Sequence, residues 1–215
     1  MLEKIKEIAK SYFNDLDKND FSHNFTHVER VTRLALYIGK LEGGDEEVLE
    51  VASLLHDIAR GAQDRGEVKD HAEESARLAK DILNKVGFHK DKIDNVVHTI
   101  SVHRCTPEKP PKSLEAKILQ DADRLDALGA VAVARAIGSS FQSKGHKRPI
   151  YKDEPYNGLG DSNKSTVHYI SHEIRQPKRK PENFNTETGR KIAKERYEFS
   201  KEYVERFIKE WRGEI

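Results

Sequence analysis

Val-Ala-Ser-Leu-Leu-His-Asp-Ile-Ala, residues 51–59, sets an adjacent His56 and Asp57 at the end of an apolar run. Leu49, Ala52 and His56 recur at helical spacing, which turns the imidazole toward the interior. An ionised carboxylate among Leu54, Leu55 and Ile58 costs several kcal/mol unless something positive compensates it. A metal ion is the obvious candidate, and the rest of the chain can be read for matching ligands.

Upstream, Gly43-Gly44-Asp45 ends one helix and caps the next, which is predicted over about 46–59. The preceding helix, about Thr26 to Leu41, carries Val31, Leu34, Ile38 and Leu41 on one face, and His27 lies on it too. A first helix is read over residues 2–14, followed by a polar, turn-rich stretch to Asn24. Downstream, a charged loop from Gly61 to Lys69 leads to Asp70, which caps a helix from His71 to Val86 with His71, Ser75, Leu78 and Ile82 in register. The next helix, about Lys90 to Arg104, aligns Ile93, Val96, Ile100 and His103, while His98 is off that face by about 140°. After a loop with three prolines (Pro107, Pro110, Pro111) a long helix is predicted over about 113–139, its stripe being Ile118, Asp121, Leu125 and Leu128. Residues 140–164 read as a loop insertion rich in Gly, Pro, Lys and Tyr. Helices over about 165–175 and 186–211 follow, separated by Gln176-Pro-Lys-Arg-Lys-Pro181. Strand alternation and internal repeats are absent, so the fold is read as all-α.

The 215 residues suffice for a single domain with a sizeable core. Lys+Arg (38) nearly balance Asp+Glu (37), which argues against a nucleic-acid partner. Cys105 is the only cysteine, so no internal disulfide can form and a reducing compartment is expected. With no signal-peptide core and no apolar run of about 20 residues, the expectation is a cytoplasmic protein without a membrane partner. Self-association is left open.

His27, His56, Asp57 and Asp121, on three helices, thus form a mixed nitrogen and oxygen set aimed inward. Such a set suits Mn²⁺, Fe, Co²⁺, Ni²⁺ or Zn²⁺ better than Ca²⁺ or a thiolate-selective metal. The competing reading is a pair of structural His–Asp hydrogen bonds.

The order of these residues, with the words His27-Val28-Glu29-Arg30-Val31, Leu55-His56-Asp57-Ile58-Ala59 and Leu119-Gln120-Asp121-Ala122-Asp123-Arg124-Leu125-Asp126, resembles the HD-domain superfamily of metal-dependent phosphohydrolases. It is similar above all to the small single-domain bacterial branch, whose members have been assigned nucleotide phosphohydrolase or pyrophosphohydrolase activity. Asn163 to Ile192, with Asn185-Thr-Glu-Thr-Gly189, extends the likeness to the C-terminal part. The resemblance implies an HD helical core over about 20–130, a possible lid over 140–185 and a C-terminal helix over 186–212. It further implies one divalent ion (Mn, Fe, Co, Ni, Zn or Mg) on His27, His56, Asp57 and Asp121, Arg30 and Arg124 as substrate contacts, and Asp57 and Asp123 as catalytic groups. His71 and His103 are expected as phosphate contacts or ligands of a second, weaker ion. One departure stands out: some HD nucleotidases carry a water-activating Glu where this chain has Arg60.

The implied activity is hydrolysis of a phosphoester or phosphoanhydride of a nucleotide, tilted toward a (deoxy)nucleoside triphosphate by the basic stretch Lys144-Gly145-His146-Lys147-Arg148. Lys147 and Arg148 are its expected phosphate contacts. The alternative is a metal-dependent nucleotide sensor without turnover; a small alarmone hydrolase is a third reading. Tyr151 and Tyr156 suit base stacking or packing against the body, Lys178-Arg179-Lys180 reads as a solvated turn, and His168 and His172 offer zinc spacing with no third ligand nearby.

Overall fold

Short polar side chains set the helix starts. In the computed structural model, which describes residues 1–13, 24–106, 108–142, 147–155 and 162–215, the helix α1 spans Leu2–Ser11 and α2 spans Phe25–Glu42. Asn24 caps α2, its side chain accepting from the Thr26 N–H at 3.1 Å. Asp45 caps α3, Glu46–Leu55, accepting from Glu47 (3.0 Å) and Val48 (3.1 Å). Asp70 caps α5, His71–Val86, through the Ala72 N–H at 3.0 Å. Each cap satisfies N–H groups that have no partner inside the helix. The polar stretch from Asn14, the Lys144-Gly145-His146 part of the insertion and Tyr156 lie outside the described residues.

Two boundaries differ from expectation. The helix containing His56 stops at Leu55, and residues 56–59 form a turn. The Ala59 N–H donates to the buried Ser75 hydroxyl at 3.0 Å instead of continuing the helical ladder. A short helix α4, Arg60–Asp64, follows where a loop was expected. The long helix expected over 113–139 is two, α7 (Leu114–Leu125) and α8 (Ala130–Gln142). Between them Gly129 sits at φ +86°, a left-handed conformation that breaks the helix and that a side chain rarely tolerates. The remaining elements are α6 (Lys90–Ser101), α9 (Thr166–Arg175), single 3-10 turns at Pro177–Arg179 and Pro181–Asn183, and α10 (Glu187–Trp211). The fold is all-α, with no strand among the described residues.

The chain, expected as one domain, divides into two compact units, with the boundary between Asp123 and Arg124 inside α7. In unit 1, α5 packs on α6, and α2 and α6 pack on α3. Its centre holds the fully buried Ile38, Leu49, Leu55, Leu83, Ile100 and Ile118. Gly39 lets α2 approach α3, because a Cβ there would meet Leu49 Cδ1 at 2.2 Å. In unit 2, α9 packs on α8 and α10 around Val133, Tyr151, Val167, Ile170 and Val204. Tyr151 packs on the body, with its ring 5.8 Å from those of His168 and Phe207. No helix among the described residues is long and apolar enough to cross a membrane.

Candidate metal centre

Four elements of unit 1 bring their chemistry to one carboxylate. His27 lies in the first turn of α2, His56 and Asp57 in the turn after α3, His71 at the start of α5, and His103 just beyond α6. All five residues are buried, none more than 7% exposed. The two Asp57 oxygens divide the histidines between them. Oδ2 lies 3.9 Å from His27 Nε2 and 3.7 Å from His56 Nε2. Oδ1 lies 3.2 Å from His71 Nε2 and 3.4 Å from His103 Nε2. These atoms form two groups able to hold an ion, His27–His56–Asp57 and Asp57–His71–His103.

Hydrogen bonds on the far side of the rings fix which nitrogen faces inward. His56 Nδ1 meets the Ser53 carbonyl and His103 Nδ1 the Ile100 carbonyl, each at 2.7 Å. A carbonyl can only accept, so both Nδ1 atoms carry the proton and both neutral rings present the Nε2 lone pair to the centre. His71 Nδ1 meets Gln63 Oε1. His71 Nε2 and His103 Nε2 then stand 3.3 Å apart, two lone pairs that repel unless a cation or proton lies between them. The buried His56 Nε2 and Asp57 Oδ1 have no hydrogen-bond partner in a geometry that would satisfy them. Orphaned buried polar atoms are costly, and these two point where a cation would satisfy them. The donor set therefore fits a divalent ion.

The electrostatics of His56 and Asp57 agree. Burial lowers the His56 pKa to about 4, against the pull of Asp57, so the ring stays neutral and able to ligate. For Asp57, burial alone would raise the pKa, yet His56, His103 and His71 hold it well below the ordinary value. For His103, burial opposes protonation, but the Asp57 carboxylate 3.4 Å from Nε2 outweighs it and raises the pKa, so a cation there competes with a proton.

Asp121 requires a correction. It is fully buried, as expected, and like Asp123 lies outside the two converging groups. The carboxylate that α7 brings to the histidines is Asp123, with Oδ1 3.4 Å from His27 Nε2. Burial would raise its pKa, but the bond to His27 and the charges of His27, His56 and His103 lower it strongly. Two residues apart on a helix is about 200°, so Asp121 and Asp123 cannot face the same cluster.

The other expected residues divide. Arg30 lies one turn after His27, with Nη1 donating to Thr26 Oγ1 at 3.1 Å. Arg60 pairs with Asp64 at 3.1 Å along α4. Arg124, expected on substrate, is buried in unit 2; it donates to the Asn183 carbonyl at 2.9 Å and lies 4.3 Å over Phe184. Lys147 is exposed, whereas the Arg148 guanidinium lies 4.4 Å over Tyr169 and bonds Asn163 at 3.2 Å. Arg179, expected in a solvated turn, is drawn inward to the Arg124 carbonyl (3.1 Å) and Glu173 (3.4 Å). His168 is engaged by Ser165 Oγ (2.7 Å) and the Glu154 carbonyl (3.1 Å) rather than held ready for zinc. Sequence reasoning missed Gln63 as a partner of His71; its only signal was a lone amide in a charged loop.

Comparison with known proteins places this geometry. The HD-domain family model matches residues 24–128, which contain every residue of the centre. The Bacillus subtilis (strain 168) protein YpgQ, uncharacterized, is 34% identical over 98% of this chain and 94% of its own. Among solved structures, a predicted HD-superfamily hydrolase from an uncultured Thermotogales bacterium is 34% identical, with a TM-score of 0.70 over 97% of this chain and 92% of that one. YpgQ in complex with ADP is 31% identical in structural alignment, with a TM-score of 0.70 over 97% and 94% of the two chains. A Bacillus thuringiensis HD-superfamily hydrolase gives a TM-score of 0.72 at 27% identity, over 98% and 96%.

Proposed function

The chain belongs to the HD-domain family of hydrolases, and on that premise we propose that it is a metal-dependent phosphohydrolase whose substrate is a nucleotide. The observation that carries the reading is the pair of orphaned buried atoms, His56 Nε2 and Asp57 Oδ1, at the centre of four imidazoles and two carboxylates. His27, His56, Asp57 and Asp123 would hold one divalent ion (Mn, Fe, Co, Ni, Zn or Mg), and Asp57, His71 and His103 a second. When bound, such an ion supplies Lewis acidity toward a phosphoryl oxygen and makes water a better nucleophile.

The chain's own residues do the rest. Asp57 ties the two halves together by turning one oxygen to each. Asp123 is the most open member of the set, its side chain 28% exposed against 9% for His27. The surrounding histidines keep it ionised, so one oxygen can complete the ligand set; its openness, rather than its basicity, suits the other to take a proton from water. Arg30, half-buried and one turn from His27, supplies a guanidinium fork for phosphate. Lys147 and Arg148 are the proposed polyphosphate contacts of the insertion. The nucleotide class is supported by the ADP held in the YpgQ structure; triphosphate as the preferred level rests on the basic insertion.

The test is a panel of ribo- and deoxynucleotides at each phosphorylation level, incubated with Mn²⁺ or Co²⁺ and separated by chromatography. Pyrophosphate should be released from triphosphates, and a folded Asp57→Ala protein should lose turnover. Unaltered rates in that variant would refute the metal reading. Tight nucleotide binding with no product would favour a sensor instead.

A further inference from the structure

Each ring that presents Nε2 to the centre needs something to hold Nδ1. His56 and His103 use a backbone carbonyl three residues earlier. His71 is the first residue of α5, so no turn of its own helix precedes it to offer such a carbonyl. Its Nδ1 meets the side chain of Gln63 instead, from α4, eight residues upstream.

The Gln63 amide is itself oriented. Its Nε2 donates to the Lys69 carbonyl at 2.7 Å, in the loop that leads into α5. An amide has one donating end and one accepting end. With the donating end on a carbonyl, the oxygen faces His71 and can only accept. The His71 proton therefore sits on Nδ1, and Nε2 keeps its lone pair 3.2 Å from Asp57 Oδ1 and 3.3 Å from His103 Nε2. In the other tautomer an N–H would point into the centre, where a cation could not be ligated.

We propose that Gln63 is a positioning residue: it fixes the His71 tautomer and thereby builds the Asp57–His71–His103 half of the centre. Its metal consequence rests on the reading of the function given above; the tautomer itself does not. Gln63 also ties the loop at Lys69 to α4, so one amide sets both the place and the protonation of His71.

The deciding measurement is long-range ¹H–¹⁵N correlation of the imidazoles in the metal-free full chain, at alkaline pH. His71 should show a protonated Nδ1 and a lone-pair Nε2. Gln63→Leu, which can neither accept nor donate, should move the proton toward Nε2. Gln63→Glu, which still accepts from Nδ1–H, should keep the native pattern. Equilibrium dialysis against Co²⁺ should show Gln63→Leu binding the second ion about 10–100-fold more weakly, with Gln63→Glu recovering most of that loss. A native His71 protonated on Nε2 overturns the proposal without any variant. So does a Gln63→Leu protein with native tautomer and native Co²⁺ affinities, or a Gln63→Glu protein as impaired as Gln63→Leu. If the native chain binds no Co²⁺, the metal reading falls, while the tautomer pattern still decides the role of Gln63.

Discussion

At the scale of single residues, the instructive pair is Asp121 and Asp123. Both are carboxylates on α7, and the apolar stripe Ile118–Leu125–Leu128 singles out Asp121 as the inward one. That inference is right about burial and wrong about direction. Seven of the eight residues from Glu115 to Ala122 are buried, so a buried position on this helix does not mean a position facing the histidines. For α2 the same logic works, because His27 shares the α2 face that packs on α3. The consequence is measurable. Asp123→Asn should weaken Mn²⁺ or Co²⁺ binding by at least about tenfold, as expected when a charged group of the site is lost. Asp121→Asn should instead reduce thermal stability while leaving metal affinity within a few-fold. Equal losses of affinity in the two variants would put Asp121 back into the ligand set.

At the scale of elements, the centre is only as well placed as the turns that end its helices. Sequence periodicity marks α2, α3, α5 and α6 closely, because apolar spacing is regular there and Asp45 and Asp70 cap α3 and α5 as expected. It does not mark the stop of α3 at Leu55, since that stop is imposed by Ser75 from another helix, a contact no local pattern contains. Nor did it anticipate Gln63, whose partner is fixed by the α4–α5 connection. Two predictions belong here. Asp45 caps α3 and binds Lys92 at 2.8 Å. Burial opposes its ionisation, but the Lys92 bond and charge and the Val48 and Glu47 N–H groups outweigh it and lower its pKa. Its contribution to stability is thus full above the ordinary carboxylate pKa and is lost as pH falls through the lowered value. Asp45→Ala should cost about 1 kcal/mol at neutral pH, with the gap to the native chain closing in acid; urea melts across pH measure it. Gly39→Val should cost about 1–3 kcal/mol by overpacking against the fully buried Leu49. Because α2 carries His27 and α3 leads into His56 and Asp57, that variant should also loosen metal binding.

At the scale of the whole molecule, every proposed ligand lies in unit 1, on segments far apart in sequence, from His27 to Asp123. A cation that joins them therefore links α2, the turn after α3, the start of α5, the end of α6 and α7. Without it, these segments are held by apolar contacts, while six polar groups crowd together with two atoms unsatisfied. An ion that binds the folded form and not the unfolded one stabilises it by RT ln(1 + [L]/Kd), about 2.7 kcal/mol at a hundredfold excess over Kd. Chelator-treated protein should accordingly melt at a lower temperature than protein supplied with Mn²⁺ or Co²⁺, and the difference should grow with metal concentration. Hydrogen exchange locates the effect. Added metal should protect amides around residues 53–60, 71–75 and 100–104, where the ligands follow or begin helices, while α9 and α10 in unit 2 should exchange at nearly the same rate with or without it. Protection spread evenly over both units, or a melting temperature indifferent to metal, would mean that the buried cluster is held by protons and hydrogen bonds alone. The orphaned His56 Nε2 and Asp57 Oδ1 would then be a structural cost with no ion to offset it.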